Sequence, residues 1–224
     1  MGLDMYLKRM PRFNDTTPKD VCAIESYLDW KEAKEQGSKF ANCTLKEWCG
    51  VDYRDISMKA VAFYKRFYAM KYYNWDTEHK YGRMMISEAI AGWRKANAIH
   101  RWFVENVQDG EDDCDIYEVP KEQLEELLGI CITIRDASTM EKGWVHNGDR
   151  LANGMMCPNY EEGEYIVNAE IAEELLPTQG GFFFGGTDYD QWYMDDIKYT
   201  IDVLDKVLKE TDFETQMIAY RSSW

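Results

Sequence analysis

The stretch Leu176 to Asp190, LPTQGGFFFGGTDYD, constrains the fold of this chain more than any other. Three consecutive phenylalanines lie between two Gly-Gly pairs, and Thr-Asp-Tyr-Asp follows. The pattern predicts a short buried strand over Phe182 to Phe184, a tight turn, and a helix starting near Asp190. The glycines permit backbone angles that other residues resist, and they let a second segment come close. Asp188 or Asp190 is suited to cap the helix by accepting its free N–H groups. Two roles stay open for the stretch. It is a core strand feeding a capped helix, or it is the floor of a pocket with acidic groups at its rim.

What packs against this stretch is the next question. Ser87 to Val107 reads as one long helix, with Ser87 as its cap. Ile90, Trp93, Ala96, Asn97, His100, Phe103, Val104 and Val107 recur at steps of three and four. Asn97 and His100 then sit on the apolar side, one turn from Trp93, and buried polar groups need partners. Arg94, Lys95 and Arg101 form the densest basic group in an acidic chain. Tyr189 to Lys209 reads as a second long helix, with Trp192, Ile197, Ile201, Leu204 and Leu208 inward. Asp195 and Asp196 lie in its first turns, where the helix dipole favours them.

The remaining elements follow from periodicity and turn chemistry. Met1 to Arg9 alternates with period two, as a half-buried strand does, and Gln216 to Trp224 alternates likewise. Lys19 to Gln36 reads as a helix opened by Pro18 and closed by Gly37. Thr44 and Glu47 have the spacing of a capping box. Ser57 to Tyr73 reads as an aromatic helix, and Asn74 to Arg83 as a loop or short hairpin. Ile116 to Val119 reads as a short strand, Pro120 to Arg135 as a helix with Leu124, Leu127, Leu128 and Cys131 inward, and Asn168 to Leu175 as a helix. Asp136 to Tyr160 carries Gly143, Gly148 and Gly154 and reads as the longest irregular stretch, a mobile loop or lid that holds His146. Helices and strands do not alternate regularly. The predicted class is therefore α+β: one domain over residues 1–224, with a small mixed or antiparallel sheet that includes both chain termini and packs against several amphipathic helices.

Charge and composition narrow the function. The net charge is −15, which disfavours direct binding to DNA or RNA and suits basic partners. Eight Trp, fifteen Tyr and nine Phe among 224 residues argue against disorder and supply interface anchors. Six cysteines are present, and none forms a C-x-x-C pair; reduced thiols in a cytoplasm are expected. No apolar run reaches the length of a membrane span, and the opening residues do not have the form of a secretory signal.

No P-loop, G-x-G-x-x-G, H-E-x-x-H or G-x-S-x-G motif occurs. GGFFFGG lacks the Lys-Ser/Thr of a phosphate loop. The acidic loop Glu111 to Asp115 lacks the spacing of an EF-hand. No catalytic residue is assigned, and neither a metal nor a cofactor is expected. The candidate ligand-binding set is Trp93, Arg94, Asn97, His100, Asp188 and Asp190. In an enzyme reading, His100 is a general base oriented by Asp188 or Asp190, and Arg94 or Lys95 holds an anion. The same residues equally make a polar core network.

MGLDMYL at the start, WRKANAIHRWFVENVQDG in the middle and LPTQGGFFFGGTDYDQWYMDDIKYTIDVL with YRSSW in the last quarter together resemble a family of small proteins encoded by bacteriophages and prophages. The resemblance implies a bacterial host cytoplasm during infection or lysogeny, and an accessory role. It carries no catalytic assignment. By analogy with acidic phage accessory proteins, the expected function is binding and inhibiting or sequestering a host component, such as part of an antiphage defence system. The expected partner is a host protein, for instance a basic nucleic-acid-binding effector, or a small signalling molecule; self-association is compatible with either. The alternative is a small-molecule or nucleotide-binding protein, or an enzyme, with its pocket near His100 and the glycine-flanked stretch.

Overall fold

The computed structural model describes residues 2–12, 16–38, 42–44, 47, 74–75, 84–152 and 154–224. The helix expected over residues 57–73 and most of the 74–83 segment lie outside them. The class is α+β, as expected. The chain forms two compact units. One comprises Met1–Lys8, Ala89–Phe213 and Ile218–Trp224, and the other Arg9–Glu88 and Glu214–Met217.

The main sheet has four strands. They are β1 (Asp4–Pro11), β4 (Glu88–Arg94), β5 (Ile116–Val119) and β8 (Gln216–Ser223), in the order β4-β1-β8-β5. The strands nearest the two ends of the chain are therefore adjacent and central. Burial follows from that position. Met217, Ile218, Ala219 and Tyr220 are inaccessible, and so are Leu3, Met5 and Leu7. β5 and β8 run antiparallel, with Tyr117 opposite Tyr220 and Val119 opposite Ile218.

The helices of the larger unit are α2 (Asn97–Val107), α3 (Lys121–Ala137), α4 (Glu170–Leu175) and α5 (Gln191–Glu210). α3 packs on α5, burying Leu124, Leu127, Cys131 and Ile134 against the stripe of Ile197, Ile201 and Leu204. Burying one such side chain is worth about 2 kcal/mol. The Cys131 thiol is pushed up to about 12 by burial, so it stays protonated in this core. Asp190 caps α5, its Oδ1 accepting from the amides of Trp192 at 3.0 Å and Tyr193 at 3.2 Å. The core face of α5 begins with Tyr193 and Met194, while Trp192 is partly exposed.

In the smaller unit, α1 (Pro18–Glu35) buries Val21, Ile24, Tyr27 and Trp30. Gly37, at φ +70°, follows its end. Thr44 and Glu47 form the reciprocal bonds of a capping box: the carboxylate accepts from Thr44 N at 2.7 Å, and Thr44 Oγ1 accepts from Glu47 N at 3.3 Å. The short strands β2 (Asn74–Trp75) and β3 (Met84–Met85) pair antiparallel.

Three expectations are corrected. First, residues 87–107 are not one helix. Glu88–Arg94 is strand β4, Lys95 turns the chain at φ +63°, and only Asn97–Val107 is helical. Pairing beside β1 outweighs the helical spacing: Lys95 N donates to Leu3 O at 2.8 Å, and Gly92 contributes little to a helix. Ser87 caps nothing there; its amide donates to Glu25 Oε1 at 2.6 Å.

Second, residues 136–160 are not an irregular lid. After α3 they enter a long hairpin of β6 (Met140–Ala152) and β7 (Met155–Ile166). Of the glycines that suggested a loop, Gly148 and Gly154 take positive φ, at +67° and +79°, while Gly143 is a site of close approach within a strand. Gly143 lies opposite Gly163. A Cβ at Gly143 would lie 2.7 Å from the Tyr165 ring, and one at Gly163 would lie 2.6 Å from Val145.

Third, Phe182 to Phe184 is a turn, not a strand. Phe184 is buried, Phe182 is 96 % exposed, and Phe183 O accepts from Leu3 N at 3.0 Å. Gly185 has φ +90°, and a Cβ there would sit 3.1 Å from Lys95 Cβ. Gly185→Ala should therefore lower stability by more than about 1 kcal/mol. Gly186→Ala, where an added Cβ meets nothing within 4 Å, should change it by less than about 0.5 kcal/mol. Urea unfolding of the two variants checks the contrast.

Candidate functional site

Asn97, in the first turn of α2, holds the glycine-flanked stretch with all of its amide. Its Nδ2 donates to Phe184 O at 3.1 Å and to Gly186 O at 2.7 Å, and its Oδ1 accepts from Gln179 N at 2.9 Å. Of the three phenylalanines, Phe184 shares a core with Ile99 and Phe103 of α2, while Phe182 stays exposed. Thr178 Oγ1 donates to Thr187 O at 2.9 Å and closes the segment on itself.

His100 lies one turn further along, fully buried, and faces elsewhere. Its Nε2 is 2.9 Å from Asp112 Oδ2, and its Nδ1 is 2.8 Å from the Tyr220 hydroxyl. A carboxylate oxygen accepts, so Nε2 donates to it, and Nδ1 shares a hydrogen bond with the hydroxyl. Burial, and then the charges of Asp112 and Cys114, push Tyr220 well above its ordinary value, keeping that hydroxyl a donor. Asp112 Oδ1 also accepts from Trp224 Nε1 at 3.1 Å. Phe103 stacks on Tyr220 at 3.9 Å, and Phe184 meets the imidazole edge-on at 5.2 Å. This is a satisfied core network. Trp93 is likewise structural, its Nε1 donating to Thr200 Oγ1 at 2.9 Å.

Four of the six candidate ligand-binding residues come together. Arg94, Asn97, Asp188 and Asp190 line one cavity of about 530 Å³; His100 and Trp93 do not. One wall is the turn between β4 and α2, with Arg94, Lys95 and the residues Ala96 to Ile99. The approach to α5 and its first turns add Asp188, Asp190, Asp195 and Asp196 to the lining. The β6 bulge adds His146 and Asp149, whose side chains meet at 3.2 Å. The His146 ring also lies 3.8 Å from Asp188, on its other nitrogen. A more open hollow continues past His146 and Asp149 to Trp144 and Tyr160.

The carboxylates are not electrostatically at rest. Asp196 is pushed up to about 7, first by burial and then by the charges of Asp195 and Asp190. Asp190 is also raised, mainly by burial, although the two capped amides oppose the shift. Such shifts concentrate at binding and catalytic sites. Among the described residues no group of three or more His, Cys, Asp or Glu is arranged to hold a metal ion.

Sequence reasoning named Lys95 only as an alternative anion holder and left His146, Asp149, Asp195 and Asp196 out of the site. The run DYDQWYMDD, with four carboxylates within nine residues, carried a signal for part of it. The hairpin residues had no local signal, because register brings them there. Compared with protein-family models, with curated proteins and with solved structures, the chain matches none. Among the described residues no helix is long and apolar enough to cross a membrane.

The raised Asp196 fixes a pH dependence. Between its ordinary value of 3.8 and about 7, the folded chain holds a proton that the unfolded chain has released. Stability from this group therefore declines as pH rises through that window and is flat above it. Asp196→Asn should stabilise the fold at pH 8 and have no such effect below pH 4, as read by denaturant titration at the two pH values.

Proposed function

We propose that this chain binds a small molecule in the cavity between the β4–α2 turn and the start of α5, and that its role is to sequester that molecule from the host. One observation carries this reading. Groups from three separate parts of the chain line a single concave space: Arg94 and Asn97 from the β4–α2 turn, Asp188 and Asp190 from the approach to α5, and His146 and Asp149 from the hairpin. Ligand sites typically combine such a space with a few convergent polar groups. The resemblance to phage-encoded proteins supplies the context of an accessory factor in a bacterial host. Catalysis has less support, since His100 is buried and fully bonded away from the cavity.

A second reading is docking onto a host protein. It draws on the net charge of −15 and on Leu151, Met155 and Met156 at the end of the β6–β7 hairpin, each about two-thirds or more exposed. Apolar contact within a complementary charged rim is how such surfaces bind.

Native mass spectrometry of protein purified from bacterial cells separates the two readings. The pocket reading expects a retained small molecule that is lost or reduced at least tenfold in Asp188→Asn, with the fold unchanged by circular dichroism. Absence of any retained molecule, together with a protein complex that dissolves on Leu151→Asp, would overturn it.

A further inference from the structure

Two of the segments that line the cavity differ in charge, and each is called a wall below. The first wall is cationic for two independent reasons. Arg94 and Lys95 both line it, and Arg94 is largely exposed, its ion-pair partner among the described residues being Asp4 at 4.0 Å. Beside them α2 begins with no side chain capping it and no acidic residue in its first turn. Asn97 N donates to Lys95 O and His100 N to Ala96 O, both within 3.0 Å. The amides of Ala98 and Ile99 are then the first-turn donors without an intrahelical acceptor, and both residues line the cavity. Lys95 is held at φ +63° at this junction, a conformation that costs energy in a non-glycine residue and is often kept where a site requires it.

The second wall is anionic. At the start of α5, Asp190 has already satisfied the amides of Trp192 and Tyr193, so these two donors are taken. What it presents is carboxylate: Asp188, Asp195 and Asp196, with Asp149 from the hairpin. Burial first, and then the charges of Asp195 and Asp190, raise Asp196. The partly exposed Trp192 ring lies on the same wall and offers a face for a cation.

We infer that the ligand is a small zwitterion, with its anionic group on Arg94, Lys95 and the open end of α2, and its ammonium or guanidinium group among Asp149, Asp188 and Asp195. This rests on the pocket reading and adds the chemical class. A purely anionic ligand would leave the carboxylate wall unpaired and repelled. A purely cationic one would leave the α2 end and the two basic side chains facing it. Neither wall alone accounts for the other.

The test is calorimetric titration of the purified chain with ω-amino acids of increasing length, beginning with γ-aminobutyrate. Each is compared with the amine lacking its carboxylate and the acid lacking its amine. At least one amino acid should bind at least tenfold more tightly than both of its analogues. Arg94→Gln should remove the advantage over the amine, and Asp188→Asn the advantage over the acid. Both side chains are more than half exposed, so both variants should fold. An amine or an acid that matches its amino acid at every length would overturn the zwitterion while leaving the pocket in place. So would a molecule retained from cells that carries charge of one sign only. If no probe binds and no molecule is retained, the pocket itself fails.

Discussion

The architecture around the site depends on one side-chain amide. Asn97 accepts one hydrogen bond and donates two, and all three go to the backbone of the segment that contains the phenylalanines. Such a segment has no ladder of its own to satisfy its polar groups, since its residues form turns and not a strand. A buried carbonyl or amide without a partner costs about 1–3 kcal/mol. Asn97 removes that cost at three places at once, and only a residue with both an acceptor and a two-proton donor does so. With the backbone fixed, Phe184 enters the core beside His100, and Gly185 crosses close to Lys95. The core and the cavity are two faces of the same junction.

That junction also explains why the two polar residues of α2 part company. They are three apart in sequence, and one helical turn separates their surroundings. Asn97 looks toward the glycine-flanked segment and the open space beside it. His100 looks into the layer formed by β8, where Tyr220 and Asp112 complete its bonds. A helix end with unsatisfied amides and a fixed basic turn beside it remains on one side. The capped start of α5, with its carboxylates, lines the same cavity. Two helices begin there, one capped by Asp190 and the other without a side-chain cap.

Much of this was legible in the sequence. The alternation of residues 1–9 and 216–224 located the two central strands, because a strand buried on one or both faces must alternate or run apolar. Asp190 was legible as a cap, and Thr44 with Glu47 as a capping box, because those interactions are local and their spacing is fixed. The stripe of Leu124, Leu127 and Cys131 was legible for the same reason. What failed was non-local. Ile90 and Trp93 have helical spacing to Asn97, but strand pairing with the start of the chain claims them. Gly143 looked like a loop residue, because the Tyr165 side chain that occupies the space over it is set only by the hairpin register. Asp149 and His146 joined the site through that register, which no single segment encodes.

The central claim is that the Asn97 amide holds residues 178–187 in place and so forms one side of the cavity. Hydrogen exchange of Asn97→Ala, compared with the parent chain at matched pH, tests it most directly. Protection should fall in residues 178–187, and at Leu3, whose amide bonds to Phe183, while the β6–β7 hairpin and α3 keep theirs. Unchanged protection across 178–187 would show that the segment is held by something else, and the proposed origin of the cavity would be wrong.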